Sequence, residues 1–149
     1  MAAPSTDTRA AVVAEARRWI GTPYHHQAAV RGAGCDCLGL VRGVYRALYG
    51  SDPETPPPYT PSWAEDRREE TLADAARRHL VEIPIDAADA GDVVLFRWRP
   101  ALPAKHAAIL TAPDRMIHAY DRHAVVESWM PPAWQARRAY AFAFPPLGV

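Results

Sequence analysis

The sequence predicts an α+β fold, with helices first and an antiparallel sheet after them. Three observations carry this. Apolar residues recur at helical spacing in the first half, over residues 7–20, within 34–50, and over 63–80. After Pro84 the pattern changes to short apolar runs divided by turn residues, which is how strands read. The two patterns are segregated along the chain, which argues against an alternating α/β sheet.

The first helix, 7–20, places Val12, Ala16 and Trp19/Ile20 on one face and turns Arg17 and Arg18 to water. Gly21-Thr22-Pro23-Tyr24 breaks it, and 25–36 is a loop holding His25, His26, Gly32 and Gly34. The second helix lies inside Gly34–Gly50. Cys37, Val41, Val44/Tyr45 and Leu48 share a face flanked by Leu38 and Leu40, with Arg42 and Arg46 opposite. Gly50 stands where a left-handed C-terminal cap is expected. Cys37 is thereby set in the first turn of a buried helix, where unpaired N–H groups and the helix dipole favour thiolate over thiol.

Residues 51–63 carry Pro53, Pro56, Pro57, Pro58 and Pro61 and read as an extended surface loop. Ser62-Trp63-Ala64-Glu65 has capping-box spacing and opens the third helix, whose buried stripe is Leu72, Ala75/Ala76 and Leu80. Asp89-Ala90-Gly91-Asp92 is a turn, and Val93-Val94-Leu95-Phe96 is a continuous apolar run expected of a strand buried on both faces. His106–Leu110, Met116–Tyr120 and Ala124–Trp129 are further strands, with turns at Pro113-Asp114 and Asp121-Arg122-His123. Ala139–Phe144, with Tyr140, Phe142 and Phe144 alternating, is expected to close the sheet.

Composition bounds the function. One domain is expected over 1–149, with its core at about 7–145, because neither side of the proline-rich loop could bury a core alone. With 49% apolar and 23% charged residues the chain is globular and not disordered. A formal net charge of zero gives no reason to expect nucleic acid or an anionic membrane as partner. Met1–Ala16 lacks a basic start followed by an apolar core, so no secretory signal is expected and the chain is made in the cytoplasm. No run approaches the roughly 20 apolar residues of a membrane span. The two cysteines, Cys35 and Cys37, are one residue apart and cannot staple the fold, which points to reduced, chemically used thiols.

A cysteine nucleophile needs a base within hydrogen-bond reach and a third group to orient the base. His106 and His118 lie on two consecutive strands and can reach one face. Each has a plainer reading, since buried cysteine is often a small hydrophobe and a strand histidine is often just satisfied or solvated. A metal site competes: His25, His26, Cys35 and Cys37 fall within thirteen residues and offer nitrogen and sulfur ligands suited to zinc. Against it, Cys-x-Cys clamps less well than Cys-x-x-Cys, and His106 and His118 are left without a role.

Gly21-Thr22-Pro23-Tyr24, Asp36-Cys37-Leu38-Gly39, Gly91-Asp92-Val93-Val94-Leu95-Phe96, His106-Ala107-Ala108-Ile109 and Ile117-His118-Ala119 occur in this order. Together they resemble the NlpC family of bacterial cell-wall cysteine peptidases, over roughly residues 12–145. The resemblance implies a papain-like cysteine peptidase core, no cofactor, and peptidoglycan stem peptides as substrate, cut at the D-γ-glutamyl–diaminopimelate bond. It implies Cys37 as nucleophile, His106 as general base, His118 as the residue orienting that imidazole, and Tyr24 beside the nucleophile near the developing oxyanion. Gly91 and Asp92 match a structural turn.

Asp-Cys-Leu-Gly-Leu-Val-Arg, in place of the Asp-Cys-Ser-Gly of secreted relatives, resembles the short members found in phage tails and gene-transfer-agent-type particles. This implies tail or baseplate proteins as partners and a particle tail acting in the periplasm of a target cell. A catalytically silent structural component of such a tail is the other reading. Leu38 replaces the usual serine. Cys35 is additional and reads as an inert loop residue, a metal ligand or a redox partner of Cys37.

Overall fold

The computed structural model describes residues 5–56, 69–120 and 122–147. The elements run α1 Thr6–Arg17, β1 Ala29–Val30, β2 Gly34–Cys35, α2 Cys37–Tyr49 and α3 Thr71–His79. Then come β3 Val81–Ile83, a single 3-10 turn Ile85–Ala87, β4 Val93–Phe96, β5 His106–Ala112, β6 Arg115–His118, β7 Val126–Trp129, α4 Pro132–Gln135 and β8 Arg138–Ala143. The helices-then-sheet layout is the expected α+β one. The capping box at 62–65, the start of the expected third helix and most of the proline-rich loop lie outside the described residues.

Strands β3–β8 form one sheet in the order β3-β8-β4-β5-β6-β7, and every neighbouring pair is antiparallel. One expectation is corrected here. The Ala139–Phe144 strand does not close the sheet at an edge; it lies between β3 and β4. Its sequence carries the reason. Ala141, Phe142 and Ala143 are all buried, so both of its faces are covered, as an internal strand requires. Three short elements were not expected from the sequence: the β1–β2 hairpin, β3 and α4.

The sheet is covered on both sides, which explains the unbroken apolar run of β4. On one face Val93, Leu95, Ala107, Ile109, Ile117 and Phe142 pack against Val12, Ala16 and Trp19, against Leu40 and Val44 of α2, and against Leu72 and Ala73 of α3. On the other, Val94, Phe96, Ala108, Leu110, Met116 and Ala141 pack with Met130 under Trp98 and Trp134. Ile20, expected on the buried face of the first helix, is 44% exposed because the helix ends at Arg17 and the chain turns away.

Two glycines and one ion pair set how the helices meet the sheet. A Cβ on Gly43 would stand 2.1 Å from the Trp19 ring, so its bare backbone is what lets the indole lie flat between α1 and α2. Gly91 turns at φ +89 with its missing Cβ 2.6 Å from the Arg9 Cα. The next residue, Asp92, is fully buried and receives Arg9 Nε and Nη2 at 3.2 and 2.8 Å and the Asp89 N–H at 3.0 Å. Burial pushes the Asp92 carboxyl up, while the Asp89 N–H and Arg9 pull it back. The Gly-Asp turn is structural, as its sequence context implied: it ties α1 to the start of β4.

Candidate active site

Cys37 is the first residue of α2, and Asp36 is its N-cap. The buried Asp36 carboxylate accepts from Gly39 N–H at 2.7 Å and from Gln27 N–H at 2.8 Å, and His26 Nδ1 lies 4.0 Å away. One oxygen thus ends the helix, satisfying an otherwise orphaned N–H. The other grips the preceding loop, whose Gln27 sits at positive φ. Gly39 belongs to the same clamp, since a Cβ there would be 1.8 Å from the Ala28 carbonyl oxygen. The Asp-x-x-Gly spacing in Asp36-Cys37-Leu38-Gly39 is therefore a device for fixing the residue between them.

The Cys37 sulfur rests on the start of β5, 3.8 Å from the Lys105 carbonyl oxygen, with the Ala107 N–H directed at it. These are the residues on either side of His106. His106 opens β5 and His118 ends β6, on the same side of neighbouring strands. Their imidazoles meet with Nε2 of His106 2.9 Å from Nδ1 of His118, and both side chains are buried. Nε2 of His118 in turn lies 3.4 Å from Ser128 Oγ on β7. Tyr24 bridges to Cys35 in parallel and packs on the same core cluster as Cys37 and Leu38. The four residues singled out from the sequence thus lie on adjoining segments: Tyr24 beside the strand leading into Cys37, the sulfur of Cys37 against the backbone that carries His106, and His106 bonded to His118.

The electrostatics differ from the expectation of a thiolate made by the helix start alone. Burial, then the neighbouring Asp36 carboxylate, push the Cys37 thiol up to about 12, against the pull of the Ala107 and Leu38 N–H groups. Burial, the neighbouring His118 and Lys105 hold His106 well below the ordinary imidazole range, and burial brings His118 down to about 4. At neutral pH both imidazoles are therefore neutral, so His106 is able to accept a proton. With His106 donating through Nε2 to Nδ1 of His118, and His118 donating through Nε2 to Ser128, the lone pair of the base falls on Nδ1 of His106.

The histidine and cysteine residues of the competing zinc reading are differently placed. His25 is exposed, while Cys35 is wholly buried in the core and its thiol is raised to about 12, first by burial and then by Asp36. Among the described residues no group of three or more His, Cys, Asp or Glu side chains is gathered to hold a metal ion. Cys35 fills space as a small apolar side chain, with its backbone bonded to Pro23 and His25.

Sequence reading missed Asp36, Ser128 and the rings of Trp98, Tyr120 and Trp134, which surround the imidazoles. Asp36 carried a visible signal, an N-cap residue type directly before an apolar helix. Ser128 and Trp134 carried none, because only sheet register brings β7 and α4 to His118.

The NlpC/P60 family model matches residues 21–142, most of the chain. Among curated proteins no sequence matches. Among solved structures, the NlpC/p60 domain of the peptidoglycan hydrolase SagA superposes with a TM-score of 0.66 at 27% identity, covering 91% of this chain and 98% of that one. An NLP/P60-family lipoprotein-like protein of Staphylococcus aureus gives 0.65 at 22% identity, over 97% of this chain but only 44% of its own. The peptidoglycan hydrolase RipB of Mycobacterium tuberculosis gives 0.58 at 18% identity, over 94% of this chain and 67% of its own. These last two similarities concern the fold. They agree with a papain-like arrangement of helices on an antiparallel sheet.

Proposed function

The chain belongs to the NlpC/P60 family, and from that membership we propose its reaction: hydrolysis of a peptide bond in the stem peptides of peptidoglycan, with Cys37 as nucleophile. It is a cysteine peptidase. The observation that carries the assignment of roles is the 2.9 Å bond between His106 and His118, on the strand start against which the Cys37 sulfur lies.

Nδ1 of His106 takes the thiol proton as the sulfur attacks the scissile carbonyl carbon. The C=O π pair moves to oxygen, and the backbone N–H of Cys37, at the helix start, faces the charge that forms there with Tyr24 alongside. As the tetrahedral adduct collapses, the C–N bond breaks and the imidazolium returns its proton to the leaving amine. A thioester remains. Water then attacks it with His106 as base, and a carboxylic acid and the free thiol are released. His118 holds His106 in the required tautomer and spreads the imidazolium charge. A thiol pushed up by burial lacks a standing thiolate, so proton transfer to His106 is coupled to attack and to the exclusion of water by substrate.

Two finer readings belong to this proposal. The bond is D-γ-glutamyl–diaminopimelate, supported by the family resemblance of the Tyr24, Cys37, His106 and His118 words. The enzyme is carried in a phage-like tail and opens the wall of a target cell from the periplasm, supported by the Asp-Cys-Leu-Gly-Leu-Val-Arg word at residues 36–42. Muropeptide mass spectrometry tests the first: new termini at that bond are expected with the wild type and none with Cys37→Ala. Uncut stems, or cutting retained by Cys37→Ala, would overturn the site. Co-fractionation of the chain with intact particles tests the second.

A further inference from the structure

The imidazole pair lies under a cover of aromatic rings that take no part in the acyl transfer. The Trp134 ring centroid is 5.5 Å from His106 and 5.3 Å from His118, at interplanar angles of 90° and 81°. The two imidazoles are themselves 5.2 Å apart. One indole is therefore almost equidistant from both rings and straddles the hydrogen bond that joins them. Trp98 stacks on His106 at 5.7 Å and 26°, and meets Trp134 edge-on at 4.9 Å. Phe96 lies behind, 6.0 Å from His106, and Tyr120 completes the rim at 5.5 Å with 41% of its surface exposed.

We propose that Trp134, backed by Trp98, is a positioning residue that keeps water off the His106–His118 hydrogen bond and so presents Nδ1 of His106 to the thiol. The proposal rests on the peptidase reading above.

The fold goes to some length to place these rings. The register between β4 and β8 shifts between Leu95 and Phe96, and such an irregularity beside a site re-aims the side chains after it. Trp134 sits on α4, four residues long, which has little stability of its own. Arg137 clips it in place, donating from Nη1 to the Ala133 carbonyl at 2.8 Å and from Nε to the Trp98 carbonyl at 3.2 Å. Gln135 Nε2 donates to the Met130 carbonyl at 2.8 Å, and the Arg97 N–H to the Arg137 carbonyl at 3.0 Å. One guanidinium thus holds the carbonyls of Trp98 and of Ala133, the neighbour of Trp134, and the Arg137 backbone N–H holds the Trp134 carbonyl at 2.9 Å.

Water has a specific harm to do here. It can donate to Nδ1 of His118 in competition with His106, which frees the base to rotate, and it solvates the imidazolium and so favours protonation. Both imidazoles are buried, and burial is the first cause that holds them below the ordinary imidazole range. Among the described residues, the titratable groups around the pair are Lys105 beside His106, Cys37 with its sulfur 3.8 Å from the Lys105 carbonyl, and Tyr120 with His123 stacked on it at the rim.

The test compares Trp134→Ala and Trp134→Phe by two readouts. Proton NMR of the resting protein follows the Nε2-bound proton of His106 and the histidine tautomers without any turnover. The wild type and Trp134→Phe are expected to show a slowly exchanging downfield proton, and Trp134→Ala to lose it. In turnover, Trp134→Ala is expected to lower kcat by about 10- to 100-fold with KM little changed, and to move the acidic limb of the pH profile upward. Trp134→Phe recovers most of both. An unchanged imidazole proton in a folded Trp134→Ala protein overturns the proposal, as does an effect confined to KM, which would make the ring a substrate contact. Trp98→Ala is the second variant if Trp134→Ala does not fold, with the same expectations. The NMR readout stands apart from the peptidase reading, whose failure would show instead as activity retained by Cys37→Ala.

Discussion

Replacing Gly39 with alanine separates two opposed expectations. Gly39 lies inside α2, and by helix propensity alone Gly39→Ala stabilises by about 1 kcal/mol. The surroundings reverse the sign. The added Cβ would stand 1.8 Å from the Ala28 carbonyl oxygen and 3.1 Å from Asp36 Oδ1, where contacts under 3.0 Å essentially never occur. The 25–28 loop must therefore move by more than 1 Å. That motion breaks the Asp36 N–H bond to the Ala28 carbonyl, worth about 1 kcal/mol, and strains the cap at Asp36, worth about as much again. Residual overpacking adds about 1–3 kcal/mol. Net of propensity, Gly39→Ala is expected to destabilise by roughly 2–4 kcal/mol, and at about 2–4 °C per kcal/mol for this chain length Tm falls by about 5–15 °C. Calorimetry reads this directly, and alkylation of Cys37 at native pH reports whether the thiol has moved. A variant that melts at or above the wild-type temperature would refute the reasoning, because it would show that the Ala28 backbone is free to yield.

Three further predictions follow from the same geometry. Asp36→Asn keeps the Gly39 cap but turns an amide NH2 toward the Gln27 N–H and removes the charge that raises the thiol, so the pH midpoint of Cys37 alkylation is expected to fall and stability to drop by about 1–3 kcal/mol; an unmoved midpoint would leave burial as the whole cause. His118 has a folded value of about 4, below the ordinary 6.5, so the unfolded chain binds the extra proton; stability is complete above pH 6.5 and is lost as pH falls toward 4, by up to about 3 kcal/mol, which urea titrations of wild type and His118→Gln should resolve. Arg9→Met leaves the fully buried Asp92 carboxylate without its cation and is expected to destabilise by about 2–3 kcal/mol, more than Asp92→Asn, by the same titrations.

Much of this molecule could be read from the chain because the signals are local. Helix α2 carried its stripe and its closing glycine, and Gly50 does adopt the left-handed cap at φ +86. Val93–Phe96 announced a strand covered on both faces, and β4 is one. What failed was neighbour order. A run such as Ala139–Phe144 declares which faces it buries but not which strands flank it, and β8 was expected to close the sheet when it lies second, inside it. β3 is three residues long and, among the described residues, pairs with β8 alone, so nothing local distinguishes it from the tail of α3. At the site, the residue types and their order were legible, but the balance of charge was not. The helix start that favours a thiolate is outweighed by burial and by Asp36, the residue that makes the helix start well formed. Ser128 and Trp134 become visible only once the register Met116–Ser128 is known.

The position of β8 has a consequence for how the enzyme is made. A ribosome releases α2 with its thiol, then β5 and β6 with their histidines, well before it releases the strand that joins β3 to β4. Until β8 threads between them, β3 has no partner, the β4 edge is open, and neither helix-facing nor outer core can close around Phe142 and Ala141. Such late, long-range pairing is slow to form. The nascent chain thus holds Cys37, His106 and His118 while lacking the scaffold that aims them, and the site is assembled only when synthesis has passed the last strand.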